Sequence, residues 1–348
     1  MKDIVIIDKN IPQYKGNFHM HTARSWDSQV PLEAALAEYR EKGYQFCVVT
    51  DHEVYFDSKD YDTEDFIALS GVESAFVIDE TKPTWLMEKE HFTSLHINLI
   101  HDMTKGANGF RHDQVLKRPV DLGLSSWNRY IDYLHDDMNQ ITIINHPNWS
   151  RLAPEIFMGI HRCFAFEIWN SDSVIGGGCR SDEDIWDYSL KRGNRILALT
   201  GDDVHKYGPE HHSCGGGFTM LSTNDFSREG LVKAIKAGKF YPSIGPRIYD
   251  MRVTDGILHM EFDPALSVRI VGGDLMAKGF IADREDEPLT SIDWKVKAGL
   301  KYFRVEIRDL KGRLAWSQPV FPDDWNGEIP ELMEDPHTAI PEYQKGWQ

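Results

Sequence analysis

The sequence lacks long apolar runs, an excess of basic residues and paired cysteines. No uninterrupted apolar segment approaches the roughly 18 residues that a membrane-spanning helix needs, so we expect no membrane association. Asp and Glu total 55 against 38 Lys and Arg, and the net charge of −17 disfavours nucleic acid as a partner because phosphate backbones are repelled. The four cysteines form no C-x-x-C pair, a usage typical of reduced thiols in a cytoplasmic protein.

Two common enzyme motifs are also missing. No G-x-G-x-x-G follows the first β-rich run, so a dinucleotide-binding fold has no support, and no G-x-S-x-G turn is present to carry a nucleophilic serine. What is present is a chain of 348 residues, 41% hydrophobic and 11% aromatic, which can bury a substantial core. That length suits two domains, or one large α/β domain with an appendage.

Short apolar runs alternate with helical patterns over the first 245 residues. This alternation predicts an α/β fold with a parallel sheet, and the number of repeats favours a barrel over an open doubly wound sheet. The predicted strands cover residues 16–21, 45–50, 67–73, 95–100, 141–145, 165–169 and 196–200. Two polar segments, 81–93 and 102–117, are expected to be loop-rich insertions over the strand ends.

The pattern changes after residue 245. From there the apolar runs are short and β-like, and turn pairs such as Asp255-Gly256 separate them. We therefore predict two domains: a barrel over residues 1–245, and a small β-sandwich-like domain with a tail over residues 246–348.

Histidines and carboxylates recur at the ends of the predicted strands. His19 and His21 are two apart on one strand and therefore face the same side. The full set of candidate ligands is His19, His21, Asp27, His52, Glu73, His96, His146, Asp203 and His205. Strand ends of a barrel converge on one face, where so many ionisable groups without a cation would be electrostatically costly. Mixed imidazole and carboxylate ligation suits Zn, Mn or Fe, and we predict a site for more than one such divalent cation.

Taken in chain order, these residues resemble the motifs of the PHP (polymerase and histidinol phosphatase) family over residues 16–245. The matching segments are His19-Met20-His21-Thr22, Thr50-Asp51-His52, Gly71-Val72-Glu73, His146-Pro147 and Gly201-Asp202-Asp203-Val204-His205. Further segments look like the CehA/McbA-type branch of that family and extend the resemblance to residue 320. They are Asn17-Phe18-His19, Phe166-Glu167-Ile168-Trp169-Asn170, Gly245-Pro246-Arg247-Ile248 and Arg304-Val305-Glu306.

The resemblance implies a distorted (β/α)7 TIM-like barrel with up to three metals. The implied ligand groups are His19, His21, Glu73 and Asp203 for one metal, Glu73, His96 and His146 for a second, and Asp27, His52 and His205 for a third. The acid of the third group falls one place later than in the common family motif, which leaves occupancy of that site open.

Two ligand positions have a competitor nearby. The family's Gly-Ser-Asp is Gly-Asp-Asp in this chain, and we prefer Asp203 over Asp202 because the Asp-x-His spacing of the motif ends at His205. His101 is the alternative to His96, but it lies five residues later and off the same strand face.

The implied activity is metal-dependent hydrolysis, with a phosphate ester of a small molecule as the expected substrate. A hydroxide that bridges two cations could attack such a substrate directly. The predicted catalytic residues are Glu73, Asp203 and His205, and the predicted substrate-binding residues are Arg24, Lys206, Arg111, Glu167 and Asn170. Glu167 and Asn170 could instead orient a ligand histidine.

Two other functions stay open at this point. The same metals could hydrolyse carboxyl or carbamate esters or amides, which the branch resemblance and an aromatic-rich rim favour; the rim residues are Trp26, Trp85, Trp149 and Trp169. Alternatively, the chain could be a non-catalytic metal-bound module that uses its C-terminal β-rich region as a recognition surface. The sequence leaves the oligomeric state open.

Overall fold

The computed structural model describes residues 3–79, 92–106, 109–116, 124–273, 276–297 and 300–321. These residues form a mixed α/β structure in which one large sheet runs through both parts of the chain. No helix in these ranges is long and apolar enough to cross a membrane.

Strands and short helices make up the described chain. Before residue 245 the strands are β1 (Ile4–Ile7), β2 (Gln13–Asn17), β3 (Phe46–Val49), β4 (Ile67–Asp79), β5 (Phe92–His101), β6 (Gln140–Ile144), β7 (Ala165–Asn170), β8 (Leu197–Gly201), β9 (Phe218–Ser222) and β10 (Phe240–Ser243). After it they are β11 (Ile248–Thr254), β12 (Ile257–Gly272), β13 (Met276–Ile281), β14 (Leu289–Lys295), β15 (Phe303–Asp309) and β16 (Leu314–Trp316). The α-helices are α1 (Leu32–Glu41), α2 (Leu124–Asp136), α3 (Pro154–Gly159), α4 (Glu183–Lys191) and α5 (Arg228–Lys236). Each of the seven strands predicted in the first part overlaps one of these strands.

The strands that carry the predicted ligands lie side by side in chain order from β2 to β8. β2, β3 and β4 are parallel, and so are β6, β7 and β8, as the alternating pattern predicts. β5 is antiparallel to both β4 and β6, so the prediction of a parallel sheet is wrong at this strand. The connection from β4 to β5 consists of residues 80–91. Its length is about the minimum for the crossover that joins two neighbouring parallel strands.

Over the described residues the ladder of strands does not close into a barrel, because β8 lies at one end of the strand order. One isolated parallel bridge, Met20 with Val204, nevertheless joins the segment after β2 to the segment after β8. The His21 N–H donates to the Val204 carbonyl at 3.0 Å, and the Asp203 N–H donates to the His19 carbonyl at 2.9 Å. These contacts bring the first and last motifs of the sequence together.

The helix ends follow from local sequence. α5 begins after Ser227, whose hydroxyl accepts a hydrogen bond from the Gly230 N–H at 3.0 Å, the usual contact of an N-cap residue. Pro31 precedes α1, and Gly43 follows it with a φ of 76°, a left-handed conformation that glycine adopts without strain. The ends of these two helices can be predicted from the sequence, because capping depends on residues that are adjacent to the helix in the chain.

The last part of the chain forms an antiparallel region around its own apolar core. Two of the short β-like runs, at residues 257–262 and 267–271, belong to the single long β12. β1 pairs with β11 and β10 pairs with β16, so the sheet is continuous across residue 245. The division into two domains at this residue stays a prediction.

Polar contacts attach the C-terminal strands to α4. The guanidinium of Arg304, which is fully buried, donates to both carboxylate oxygens of Asp187 at 2.6 and 2.7 Å, and to Glu306 at 2.7 Å. The indole N–H of Trp316 donates to Glu183 at 3.2 Å. Because paired, hydrogen-bonded charges are the form in which a buried arginine is tolerated, these contacts fix α4 against β15 and β16.

Candidate metal centre

Four side chains form the tightest group of donor atoms in the described chain. His19 and His21 follow β2, Glu73 lies in β4, and Asp203 follows β8. Their Nε2, Nε2, Oε2 and Oδ1 atoms face one another, and five of the six distances between them are 3.1–3.2 Å. All four residues are buried. This is the group that the family resemblance implies for the first metal.

Two more groups adjoin this one and share its members. Glu73 also approaches His96 and His146, with its Oε1 atom 2.9 Å from His96 Nδ1 and 3.6 Å from His146 Nε2. Asp27 Oδ2 lies 3.1 Å from the Nε2 atoms of both His52 and His205. His21 belongs to this last group as well as to the first, which the sequence did not predict. The nine predicted ligands therefore lie in three adjoining groups.

The antiparallel direction of β5 explains how His96 reaches the site. In the β4–β5 register His96 faces Ala75, two residues beyond Glu73. The side chain thus lies near the carboxyl end of β4 although it comes from the first half of its own strand. The alternative, His101, lies at the far end of β5 beside Gln140 and Tyr55 and outside the three groups.

Oxygen atoms behind the histidines orient their rings. Glu167 is completely buried; its Oε1 lies 2.8 Å from His19 Nδ1, and its Oε2 accepts from the backbone N–H of His146 at 2.9 Å. Ser25 Oγ lies 3.0 Å from His21 Nδ1, and Ser150 Oγ lies 3.3 Å from His146 Nδ1. A partner on one ring nitrogen leaves the other nitrogen facing the group, as in protein metal sites.

The two adjacent acids have different surroundings. Asp202 is buried in a pocket of donors: Ser171 Oγ at 2.6 Å, Tyr39 OH at 3.1 Å, and two backbone N–H groups. Asp203 faces the histidines from a left-handed backbone conformation with a φ of 55°. Such strain in a non-glycine residue is typical of functional sites. Of the two acids, Asp203 is the one that joins the ligand groups.

Electrostatics make this cluster a site for positive charge. Burial alone would lower the pKa of His19 and His21, but the carboxylates of Asp203 and Glu73 raise both, that of His21 to about 9. Burial would raise the pKa of Glu73, yet His19 and His96 hold it well below its usual range. The carboxylates thus stabilise a positive charge at this point, either as protons on the imidazoles or as a divalent cation.

The donor geometry fits a cation. Five of the six donor separations, at 3.1–3.2 Å, match the edge of a regular tetrahedron whose corners lie about 1.9 Å from its centre, which is close to the metal–ligand distances of zinc. Glu73 Oε2 and Asp27 Oδ1 are buried, and neither has a hydrogen-bond partner among the described residues. Buried oxygens without partners are costly unless another group, such as a metal, satisfies them.

The predicted substrate-binding residues have mixed surroundings. Arg24 forms an ion pair with Asp113 and lies over the Phe56 ring, while Lys206 and Arg111 are exposed. Glu167 and Asn170 are buried behind the ligands, and Asn170 Nδ2 donates to Glu167 at 2.8 Å and to Asp203 at 3.2 Å. This position favours an orienting role for Glu167 and Asn170 over contact with substrate.

Sequence reasoning missed the contribution of Asn145. Its amide nitrogen donates to Glu73 Oε1 at 2.8 Å and to Asn98 Oδ1 at 3.0 Å, which fixes the carboxylate shared by two groups. Its position directly before His146 was the available signal. Gly201 is also constrained, because a side chain there would collide with Glu167 and His19.

Aromatic side chains border the groups. Trp26 is 84% exposed and stacks on His52 with ring centroids 5.7 Å apart. Trp149 is 48% exposed and packs against His146 at 4.9 Å and His96 at 5.5 Å. Trp169 packs partly buried against the core, and Trp85 lies outside the described residues.

Comparison with known proteins finds likenesses among solved structures. No protein-family model matches the chain, and no curated protein matches it. The chain is similar to a two-domain protein from Bacteroides vulgatus described as containing a predicted PHP-like metal-dependent phosphoesterase. The two are 14% identical, with a TM-score of 0.41, over 90% of this chain and 96% of that one. The functional assignment therefore depends on the geometry of the site.

Proposed function

We propose that this protein is a metal-dependent hydrolase of the PHP type, a phosphoesterase that acts on a small phosphorylated molecule. The observation that carries the proposal is the sharing of Glu73: one carboxylate oxygen faces His19 and His21, and the other faces His96. A carboxylate between two sets of imidazoles is suited to bridge two cations a few ångströms apart, which is the arrangement of two-metal hydrolases.

In this proposal the three ligand groups hold two or three divalent cations of Mn, Zn or Fe. The first site takes His19, His21, Glu73 and Asp203, the second takes Glu73, His96 and His146, and the third takes Asp27, His52 and His205. When bound, such cations acidify water and stabilise the negative charge that develops on a phosphoryl group. Glu167 and Ser150 keep the histidine rings in position, so little reorganisation accompanies the reaction.

The reaction is hydrolysis of a phosphate monoester. An oxygen of water bonds to phosphorus, the bond from phosphorus to the leaving oxygen breaks, and the leaving oxygen takes a proton. Asp203 and His205 remain the predicted proton carriers; His205 Nδ1 lies 2.8 Å from the Asp203 backbone carbonyl, so the Nε2 atom is the one that faces Asp27. Lys206, adjacent and exposed, is the predicted cationic contact for the phosphate.

The first test is turnover of phenyl phosphate and phenyl acetate by protein stripped of metal and then loaded with Mn or Zn. We expect phosphate release that depends on metal and is lost in Glu73→Gln. The matched control is Glu155→Gln, which changes an exposed carboxylate of α3 and should retain activity. Full activity of the Glu73→Gln variant would contradict the shared role of this carboxylate.

A second candidate is hydrolysis of carboxyl or carbamate esters or amides at the same groups. Two observations favour it: Trp26 and Trp149 provide exposed aromatic surface at the ligand histidines, and Arg24 already pairs with Asp113. Cleavage of phenyl acetate without phosphate release from phenyl phosphate would select this function. Stoichiometric metal binding without turnover of either ester would instead favour a non-catalytic module.

A further inference from the structure

A cavity of about 990 Å³ lies beside the second ligand group. One wall is the loop that directly follows His146, and the other is the segment from Gly177 into α4. Trp149 belongs to the first wall and packs against the rings of His146 and His96. Trp149 therefore belongs both to the wall of the cavity and to the surroundings of the second ligand group.

Two arginines give this cavity a positive lining. Arg151 and Arg180 stand on opposite walls, both are exposed, and neither forms an ion pair with any carboxylate in the described ranges. Other arginines of the chain, such as Arg162 and Arg304, are paired with acids. Unpaired guanidinium groups facing a cavity can bind a carboxylate or phosphate with two parallel hydrogen bonds.

The acids of the cavity offset this charge only in part. Asp184 is exposed, whereas Asp182 is buried and accepts a hydrogen bond from the Asn148 N–H at 3.3 Å. Burial, together with the nearby acids Glu183, Glu167 and Asp184, raises the pKa of Asp182 to about 8. The raised pKa of Asp182 reduces the negative charge that this residue adds to the cavity.

We propose that this cavity binds the leaving group of the substrate, and that Arg151 and Arg180 select leaving groups that carry a second anionic group, a carboxylate or a phosphate. The inference rests on the proposed function, since it assigns the scissile phosphate to the metal groups and the rest of the molecule to the cavity. Trp149 supplies an apolar surface between the two, suited to a carbon skeleton or ring.

The test compares phenyl phosphate with 4-carboxyphenyl phosphate, which differ by one carboxylate on the leaving group. We expect kcat/KM of the metal-loaded protein to favour the carboxylated ester by about 10- to 100-fold, the range for hydrogen bonds to charged groups. The preference should fall towards one in Arg151→Gln and Arg180→Gln. Arg308→Gln is the matched control, because Arg308 is an exposed arginine of β15 that does not line the cavity, and it should keep the wild-type preference.

The outcomes separate the two proposals. Phosphate release from both esters with equal kcat/KM, or a preference that persists in both arginine variants, would overturn the cavity assignment and leave the proposed function standing. If neither ester releases phosphate, the proposed function is wrong, and a binding measurement then tests the cavity assignment. Calorimetric titration should then show tighter binding of 4-hydroxybenzoate than of phenol, lost in the two variants; equal affinities would refute it.

Discussion

Replacing Glu167 by Gln tests whether this buried acid orients the metal groups. Both carboxylate oxygens of Glu167 have partners. Oε1 lies 2.8 Å from His19 Nδ1, and Oε2 accepts from the backbone N–H of His146 and from Asn170 Nδ2. Glutamine has one acceptor oxygen and one NH2 group. In either orientation of the amide, at least one of these donors faces another donor, so His19 or the loop of His146 loses its support.

The expected magnitude follows from these contacts. Loss of a carboxylate partner behind a metal-binding histidine typically lowers metal affinity about 10- to 100-fold, which corresponds to about 1.4–2.7 kcal/mol. The mispaired donor should also lower the free energy of unfolding by about 1–3 kcal/mol. The first effect is measured by titrating Zn or Mn against a competing chelator, and the second by urea denaturation of the metal-free protein.

Unchanged metal affinity in Glu167→Gln would refute the orienting role. The control is Glu155→Gln, which makes the same chemical change on the exposed surface and should alter neither quantity. A loss of stability without a loss of metal affinity would show that Glu167 supports the fold alone. The two measurements together therefore separate orientation of the ligands from general packing.

Three further predictions concern single residues. His96→Ala should lower the number of metals bound per chain, whereas His101→Ala should not, as metal analysis after dialysis would reveal; equal stoichiometry in both variants would contradict the assignment of His96. Folding raises the pKa of Asp182 from 3.8 to about 8, so the stability contributed by its proton is lost as pH rises across this interval. Asp182→Asn should therefore gain melting temperature relative to wild type between pH 4 and pH 8, and a constant difference would disprove the shift. Ser227→Ala should reduce the free energy of unfolding in urea by about 1 kcal/mol through loss of the α5 cap, and a change within error would show that the cap adds nothing.

Much of the candidate site could be predicted because its residues obey local rules. Alternation along a strand places His19 and His21 on one side, and motif order assigns the remaining ligands to successive strand ends. The structure places these residues in three adjoining groups of donor atoms, with His21 shared by two of them. The choice of Asp203 over Asp202 came from the Asp-x-His spacing of the family motif, which ends at His205, whereas charge alone left it open.

The rest depends on contacts between distant parts of the chain. The direction of β5 is set by its pairing with β4 and β6, which an apolar run does not encode. The orienting role of Glu167 depends on the distances from its carboxylate oxygens to His19 and to the backbone of His146, which the sequence does not give. The positive cavity arises because two separate loops face each other, and no local pattern relates Arg151 to Arg180.

Because α4 is attached to the C-terminal strands, these strands can affect the shape of the cavity although they contain none of the candidate metal ligands. Arg304 and Trp316 hold α4 from outside, and the first residues of α4 form one wall of the cavity. A change at Arg304 in β15 or at Trp316 in β16 can therefore move this wall while every candidate ligand stays in place. Divergence of relatives in these strands should accordingly retune which molecules are accepted before it alters the capacity to bind metal.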